Sequence, residues 1–102
     1  MERRYMNYFV LVGCIVEEPE RTETSAGMKL CRLKISVGKT NKDQQEESEI
    51  FEVALFRNLA TEEYQVGQNI AVSGRLQSSN VERDGVMFYN TRLIGNSVTL
   101  IN

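Results

Sequence analysis

The stretch that decides the fold spans residues 50–76 and reads IFEVALFRNLATEEYQVGQNIAVSGRL. Its first part, residues 50–57, alternates side chains in the way of a β-strand. Residues 59–64 are the best short helix candidate in the chain. Residues 70–76 alternate again and predict the next strand. The stretch therefore predicts a strand, a short helix and a second strand, in that order.

Each of these two strands has one apolar side, which we expect to face a core. The apolar side of the first strand carries Phe51, Val53 and Leu55. The inward side of the second strand is expected to carry Ile70, Val72 and Leu76.

The residues before this stretch predict two further strands. Residues 8–16 are apolar at both parities, as expected for a strand covered on both faces. Residues 19–27 carry Pro, Thr, Ser and Gly and are interpreted as a loop. Residues 28–37 alternate between a core face and a basic outer face. Residues 38–49 are charged and rich in Gln, which indicates a mobile loop.

The residues after the stretch predict a hairpin. Residues 77–81 extend the strand toward Asp84-Gly85, a dipeptide typical of a tight hairpin turn. Residues 86–94 form the fifth predicted strand, and residues 97–101 form a short terminal one.

Five main strands, with one short helix between the third and fourth, predict an all-β fold. The five-stranded Greek-key barrel called the OB-fold has this order, and its open face binds oligonucleotides. A β-sandwich is the alternative, but it usually needs about seven strands. A length of 102 residues is typical of one domain, so we expect a single OB-fold domain over residues 1–102.

The composition disfavours an enzyme. The chain has no His, the side chain used most often for acid–base catalysis near neutral pH. Its two cysteines cannot form a four-thiolate metal site, and no phosphate-binding Gly motif is present. We therefore expect no catalytic residues, no metal and no cofactor. Twelve basic and 14 acidic residues give a net charge of −2, so only a local basic face could serve a nucleic acid.

An ordered set of short motifs carries a family resemblance over residues 6–101. The set comprises Met6-Asn7, Val10-Leu11-Val12-Gly13, Glu18-Pro19-Glu20, Ser25-Ala26-Gly27, Phe51-Glu52-Val53-Ala54-Leu55-Phe56, Val72-Ser73-Gly74-Arg75-Leu76 and Tyr89-Asn90-Thr91. In this order and spacing the chain resembles the bacterial single-stranded DNA-binding proteins. The resemblance implies an OB-fold, homodimers or homotetramers, and sequence-tolerant binding of single-stranded DNA in replication, repair or recombination. Residues 1–5 look like an N-terminal extension before the usual family start.

The chain also departs from the pattern of that family. Family members commonly place tryptophans on the DNA-facing surface, whereas this chain has none, and the corresponding positions fall near Asn41, Ile50 and Val81. The chain stops at Asn102 without the acidic C-terminal tip that recruits partner proteins. A related OB-fold family, the primosomal replication protein B group, also lacks much of the stacking set and stays an alternative. That alternative predicts an accessory protein that acts mainly through protein contacts.

Base stacking and phosphate contacts define the candidate binding residues. Single-strand binding needs aromatic faces for bases and positive charge for phosphates. Phe56 occupies a family stacking position, Phe88 is a second stacking candidate, and Tyr89 is expected in the core or in an interface. The phosphate candidates are Arg32, Lys34, Arg57 and Arg75, together with Lys39 and Lys42 of the predicted loop. A solvated strand face or loop is the alternative for these charges.

The family resemblance and the apolar first strand predict the binding partners. We expect single-stranded DNA, a second copy of the chain joined through the apolar first strand, and replication proteins as partners. No apolar run is long enough to span a membrane, so no membrane partner is expected. The resemblance and the poor signal-peptide character of the N-terminus lead us to expect a cytoplasmic location.

Overall fold

The computed structural model describes residues 4–40 and 46–102, which form six strands and one short helix. The strands are β1 (Phe9–Ile15), β2 (Glu20–Glu23), β3 (Lys29–Thr40), β4 (Glu46–Phe56), β5 (Asn69–Arg83) and β6 (Val86–Leu100). Helix α1 (Asn58–Thr61) connects β4 to β5. Within the described residues, no helix is long and apolar enough to cross a bilayer.

Five of the strands close into a ring. The pairing order runs β1–β5–β6–β4–β3, and β3 pairs again with β1 to complete the circle. All of these pairs are antiparallel except β4–β6, which is parallel. β2 lies outside the ring, on the edge of β3. The closed five-stranded barrel with its short helix is the predicted OB-fold, and that prediction is confirmed.

Alternating side chains of the central strands fill the barrel. Leu33 and Ile35 of β3 are fully buried against Val53 and Leu55 of β4. The other fully buried apolar side chains of this cluster are Ile15, Cys31, Ile70 and Val72, the last two being 1% exposed. The alternation in residues 50–57 and 28–37 predicts this arrangement correctly, because one face of each strand must pack inward.

Three predicted boundaries are wrong. Residues 20–23 form β2, because their backbone pairs with residues 29–32 of β3 even though the segment reads as a loop. The predicted loop at residues 38–49 is largely strand, since β3 extends to Thr40 and β4 starts at Glu46, with Lys39 opposite Glu47. Residues 41–45 lie outside the described residues. The last two predicted strands form one continuous β6 that bends at an irregularity opposite Ser73 and Gly74.

Two expected burial patterns are also wrong. Val10 and Val12 of β1 are each 55% exposed, so one face of this strand is open in the protomer rather than covered. Leu76 is 39% exposed instead of pointing into the core. Its strand leaves the barrel at this point as half of a long hairpin, because β5 and β6 keep pairing as far as Arg83 and Val86.

The hairpin turn is the one expected from the sequence. Asp84 and Gly85 have φ angles of 51° and 78°, the left-handed conformation that both central residues of a type I′ turn adopt. The arm that ends in this turn comprises the paired residues 77–83 and 86–92, nearly all of them exposed.

Helix α1 is fastened to the barrel by Arg21 of β2. The Arg21 guanidinium donates hydrogen bonds to the carbonyl oxygens of Ala60 and Glu62, and lies 5.9 Å from the ring centre of Tyr64. The Tyr64 hydroxyl in turn donates to the Leu59 carbonyl at 2.7 Å. The helix is shorter than the predicted residues 59–64, but the side chain of Tyr64 still packs against the core.

Burial of Tyr64 predicts a loss of stability at alkaline pH. Burial, with smaller contributions from Cys31 and Glu62, raises the pKa of the Tyr64 hydroxyl from 10.0 to about 12. The unfolded chain therefore loses this proton first, and the free energy of unfolding falls as pH rises from about 10 to 12. In Tyr64→Phe this fall should be shallower when urea unfolding is measured across that range. Tyr5→Phe, at an exposed position, is the control; equal slopes in all three proteins would contradict the assignment.

Candidate nucleic-acid interface

The side chains of β3 and β4 that point away from the barrel interior form a second surface, here called the outer face, in which Leu30 and Ala54 are buried and the other residues are half-buried or exposed. It carries Leu30, Arg32, Lys34 and Ser36 on β3, and Ile50, Glu52, Ala54 and Phe56 on β4. The register sets each residue of one strand directly opposite a residue of the other, with Leu30 opposite Phe56 and Ser36 opposite Ile50. The strand alternation that fills the core therefore also builds this face.

The hairpin arm extends the outer face. Ile94 of β6 pairs with Ala54 and packs in the same small cluster as Phe56. Arg75 lies opposite Ile94 in the β5–β6 ladder, so it shares that face. Further along the arm, Val81 and Phe88 are cross-strand partners and line one cavity together with Arg83 and Asn90.

The two candidate stacking residues are thus carried by the outer face and by the arm that continues it. Phe56 is half-buried against its neighbours, and Phe88 is 49% exposed. Tyr89 lies on the opposite side of the arm and is 77% exposed, so the expectation of a core position is wrong. The arm projects beyond the barrel, which leaves Tyr89 without core side chains to contact.

A cavity of about 390 Å³ lies beside Phe56. Its principal lining residues are Met28, Phe56, Arg57, Arg75, Gln77 and Asn96. Two of the predicted phosphate ligands, Arg57 and Arg75, therefore flank the same cavity as the predicted stacking residue. Both arginines are exposed, and among the described residues neither of them forms an ion pair.

The predicted basic face of β3 is neutralised by carboxylates. The Arg32 guanidinium lies 3.5 Å from a carboxylate oxygen of Glu20 and 3.6 Å from one of Glu52. The Lys34 ammonium lies 3.0 Å from Glu17, and its hydrogen bond to that carboxylate raises the pKa of Lys34. The basic outer face predicted for β3 therefore carries these two cations in ion pairs, and their contact with phosphates stays a prediction. Glu20 reaches Arg32 because β2 pairs with β3, which the sequence did not predict. Glu17 lies beside Lys34 because the preceding Val16 amide donates to the Lys34 carbonyl at 3.0 Å.

Lys39 and Lys42 remain predicted phosphate ligands. The backbone of Lys39 lies in β3. Lys42 lies outside the described residues.

Metal binding and thiol chemistry would require suitably placed acidic, Cys or His side chains in the described part of the chain. No group of three or more acidic, Cys or His side chains that could hold a metal occurs in residues 4–40 and 46–102. Burial raises the pKa of the Cys31 thiol, which keeps it in the unreactive protonated form.

The family assignment rests on a match that covers nearly the whole chain. The model of the single-strand binding protein family matches residues 6–101. The chain belongs to the single-strand binding protein family. Similar family members include the single-stranded DNA-binding proteins of Treponema pallidum, 29% identical over 94% of this chain, and of Aquifex aeolicus, 27% identical over 95%. The chain spans 58% of the Treponema protein and 71% of the Aquifex protein.

Solved structures of single-strand binding proteins have the same fold. The chain is similar to a deletion mutant of the single-stranded DNA binding protein from Thermus aquaticus, with a TM-score of 0.75 and 22% identity. That match covers 95% of this chain and 51% of the other. It is also similar to the Plasmodium falciparum single-strand binding protein, solved in complex with single-stranded DNA, with a TM-score of 0.72 and 17% identity over 99% and 97% of the two chains. The resemblance to this family and the OB-fold are both confirmed.

Gln77 and Asn96 are cavity residues that sequence reasoning missed. Gln77 falls in a stretch of uncharged polar residues, which carries no functional signal. Asn96 follows Gly95, and an Asn after a Gly inside a strand pattern is a weak sign of a bulge. That sign is the one feature of the sequence that could have drawn attention to this position.

Proposed function

We propose that this chain binds single-stranded DNA on its outer face, largely without regard to sequence, and serves replication, repair or recombination without catalysing a reaction. The observation that carries this proposal is the cavity that Phe56 lines together with Arg57 and Arg75. An aromatic ring flanked by unpaired cations offers stacking for a base and charge for its phosphates. Membership of the single-strand binding protein family supports the proposal, as does the DNA complex of the Plasmodium protein.

The path of the strand runs from the cavity along the hairpin arm. One base stacks on Phe56, and a later base stacks on Phe88. Arg57 and Arg75 hold the phosphates between them. Arg32 and Lys34 contribute less, because each must exchange a carboxylate partner for a phosphate. Lys39 and Lys42 are further proposed phosphate ligands.

Removing one carboxylate from the outer face should strengthen DNA binding. Glu52→Gln frees Arg32 from one ion pair and removes a charge that repels phosphates. An exposed pair of this kind is worth a fraction of a kcal/mol, so we expect affinity for oligo-dT to rise about 1.5- to 5-fold at low salt. The control is Glu63→Gln, which makes the same charge change beside a different cavity next to Tyr64. Equal gains in both variants would show that only net charge matters.

Self-association is proposed through the open face of β1. Val10 and Val12 expose apolar side chains there, and their cross-strand neighbours Ser73 and Ala71 are small. A second copy of the chain would cover this face in a homodimer, and two such pairs would form a homotetramer. Light scattering tests this: a monomer at micromolar concentration would contradict it.

The domain extent, the cellular location and the protein partners complete the proposal. We propose that residues 1–102 form one domain with residues 1–5 as an extension, located in the cytoplasm. Replication proteins are the proposed protein partners. The accessory-protein alternative is favoured by one observation, the carboxylates that occupy Arg32 and Lys34. If it holds, a replication protein is bound while oligo-dT is not.

Fluorescence anisotropy tests the proposed function. A labelled oligo-dT of about 30–40 nucleotides is titrated with protein at several salt concentrations, with a duplex of equal length as the control. We expect tight binding to the single strand, weak binding to the duplex, and a log–log salt slope of about −0.7 per phosphate contact. Absence of single-strand binding at low salt would overturn the proposal.

A further inference from the structure

We propose that the cavity beside Phe56 is a base-selective pocket that accepts one guanine from the bound strand. The inference rests on the proposed binding of single-stranded DNA and adds a preferred base at one position. Elsewhere on the outer face, contacts to stacked bases and phosphates remain tolerant of sequence.

Two backbone irregularities meet at this cavity. Arg57 is a non-glycine residue with a φ of 61°, and its amide donates to the Lys29 carbonyl at 3.1 Å. Such a conformation costs free energy and persists where the surroundings fix it, often beside a ligand. Here it lies directly after the end of β4, at a residue that lines the cavity together with Phe56.

The second irregularity is the β-bulge at Asn96. The register between β5 and β6 steps from Ser73 opposite Ser97 to Gly74 opposite Gly95, which leaves Asn96 as the extra residue. Bulges re-aim a side chain, and this one brings Asn96 to the cavity. The preceding Gly95 packs directly on the core, because a Cβ there would meet the Leu55 side chain at 2.5 Å.

The polar groups around the cavity are available to a ligand. Within the described part of the chain, the amides of Gln77 and Asn96 form no side-chain hydrogen bond to the protein. Arg57 and Arg75 likewise have no carboxylate partner. Four polar side chains without a protein partner thus line the same cavity as one aromatic ring. The cavity volume of about 390 Å³ lies at the small end of ligand pockets and suits a single nucleotide.

The balance of donors and acceptors selects guanine. An arginine fork matches the O6 and N7 acceptors on one edge of guanine, whereas cytosine presents an amino donor that a carboxylate would accept best. None of the described residues that line the cavity is a carboxylate, and the two arginines supply donors in excess. Arg75 is placed best for the fork because its cross-strand partner Ile94 lies beside Phe56. The amides of Gln77 and Asn96 reach the remaining polar atoms of the base.

Single-base substitution in a short oligonucleotide tests the pocket. Oligo-dT of about nine nucleotides, unmodified or with its central base replaced by guanine, adenine or cytosine, competes against a labelled oligo-dT. We expect the guanine oligonucleotide to bind about 5- to 100-fold tighter than the others, as for one good bidentate contact. Hypoxanthine keeps O6 and N7 and should retain the gain. 7-Deazaguanine lacks N7 and should lose most of it.

One variant separates base recognition from charge. Arg75→Lys keeps the positive charge but removes the planar fork, so it should abolish the guanine preference, read as the ratio of its affinities for the guanine-containing and the unmodified oligo-dT. Arg83→Lys, near the hairpin tip, is the matched control and should keep the preference. Tight binding with equal affinity for all four bases would overturn the pocket and leave the proposed function intact, as would a guanine preference that survives in Arg75→Lys. No binding to any oligonucleotide would overturn the proposed function itself.

Discussion

The substitutions Ile50→Trp and Val81→Trp should each tighten binding to single-stranded DNA by about 5- to 150-fold, since a stacked base contributes about 1–3 kcal/mol. Ile50 is 60% exposed on the outer face, and Val81 is 39% exposed on the arm opposite Phe88. Family members commonly carry tryptophan near these positions, and the aliphatic side chains present here offer no π-face to a base. The change adds stacking without disturbing the buried core.

The fluorescence of each introduced tryptophan also shows whether DNA contacts that position. The chain contains no tryptophan, so all indole fluorescence in Ile50→Trp or Val81→Trp comes from the introduced ring. We expect quenching that saturates with the anisotropy signal during an oligo-dT titration. Tyr89→Trp, on the other side of the arm, is the control and should show neither quenching nor a gain in affinity. Unchanged affinity without quenching in the first two variants would contradict the proposed path of the strand.

Phe56→Leu should weaken oligo-dT binding by about 5- to 150-fold, the loss expected for one stacked base. Leucine is chosen because it keeps an apolar contact with Leu30, Ala54 and Ile94, so a loss of folding does not mimic a loss of stacking. Phe56→Trp should retain or increase affinity, because it keeps an aromatic face.

The binding measurement on Phe56→Leu is paired with a test of its folding. Urea unfolding of Phe56→Leu confirms that the barrel is intact before binding is compared. If the folded variant binds oligo-dT as tightly as the parent chain, Phe56 is a packing residue of the outer face and not a stacking residue. Tyr89→Ala is the aromatic control, and we expect its affinity to stay within about twofold of the parent, as for a residue outside the contact surface.

The barrel could be predicted because its determinants are local. Alternation in β3 and β4 separates core from surface, since a strand presents its side chains to two faces in turn. Asp84-Gly85 adopts the positive φ angles that a tight hairpin requires. The position of Phe56 on the face opposite Val53 and Leu55 follows from the same alternation, and the structure agrees.

The features that the sequence did not reveal depend on contacts between distant segments. β2 exists because residues 20–23 pair with β3, and nothing in their composition indicates a strand. That pairing carries Glu20 to Arg32, so the charge of the outer face could not be derived from β3 alone. The bulge at Asn96 and the exposure of Leu76 follow from how β5 and β6 leave the barrel together. Each of these outcomes is set by tertiary pairing rather than by local propensity.

The central claim is that single-stranded DNA lies on the outer face, and photo-crosslinking tests it most directly. An oligo-dT containing 5-iododeoxyuridine is irradiated in the complex, and the crosslinked residues are identified by mass spectrometry. We predict crosslinks to Phe56 on this face and to Phe88 on the same side of the arm. Crosslinks confined to Tyr5, Tyr8 or Tyr89, which are exposed elsewhere on the chain, would contradict the claim and place the strand on a different surface.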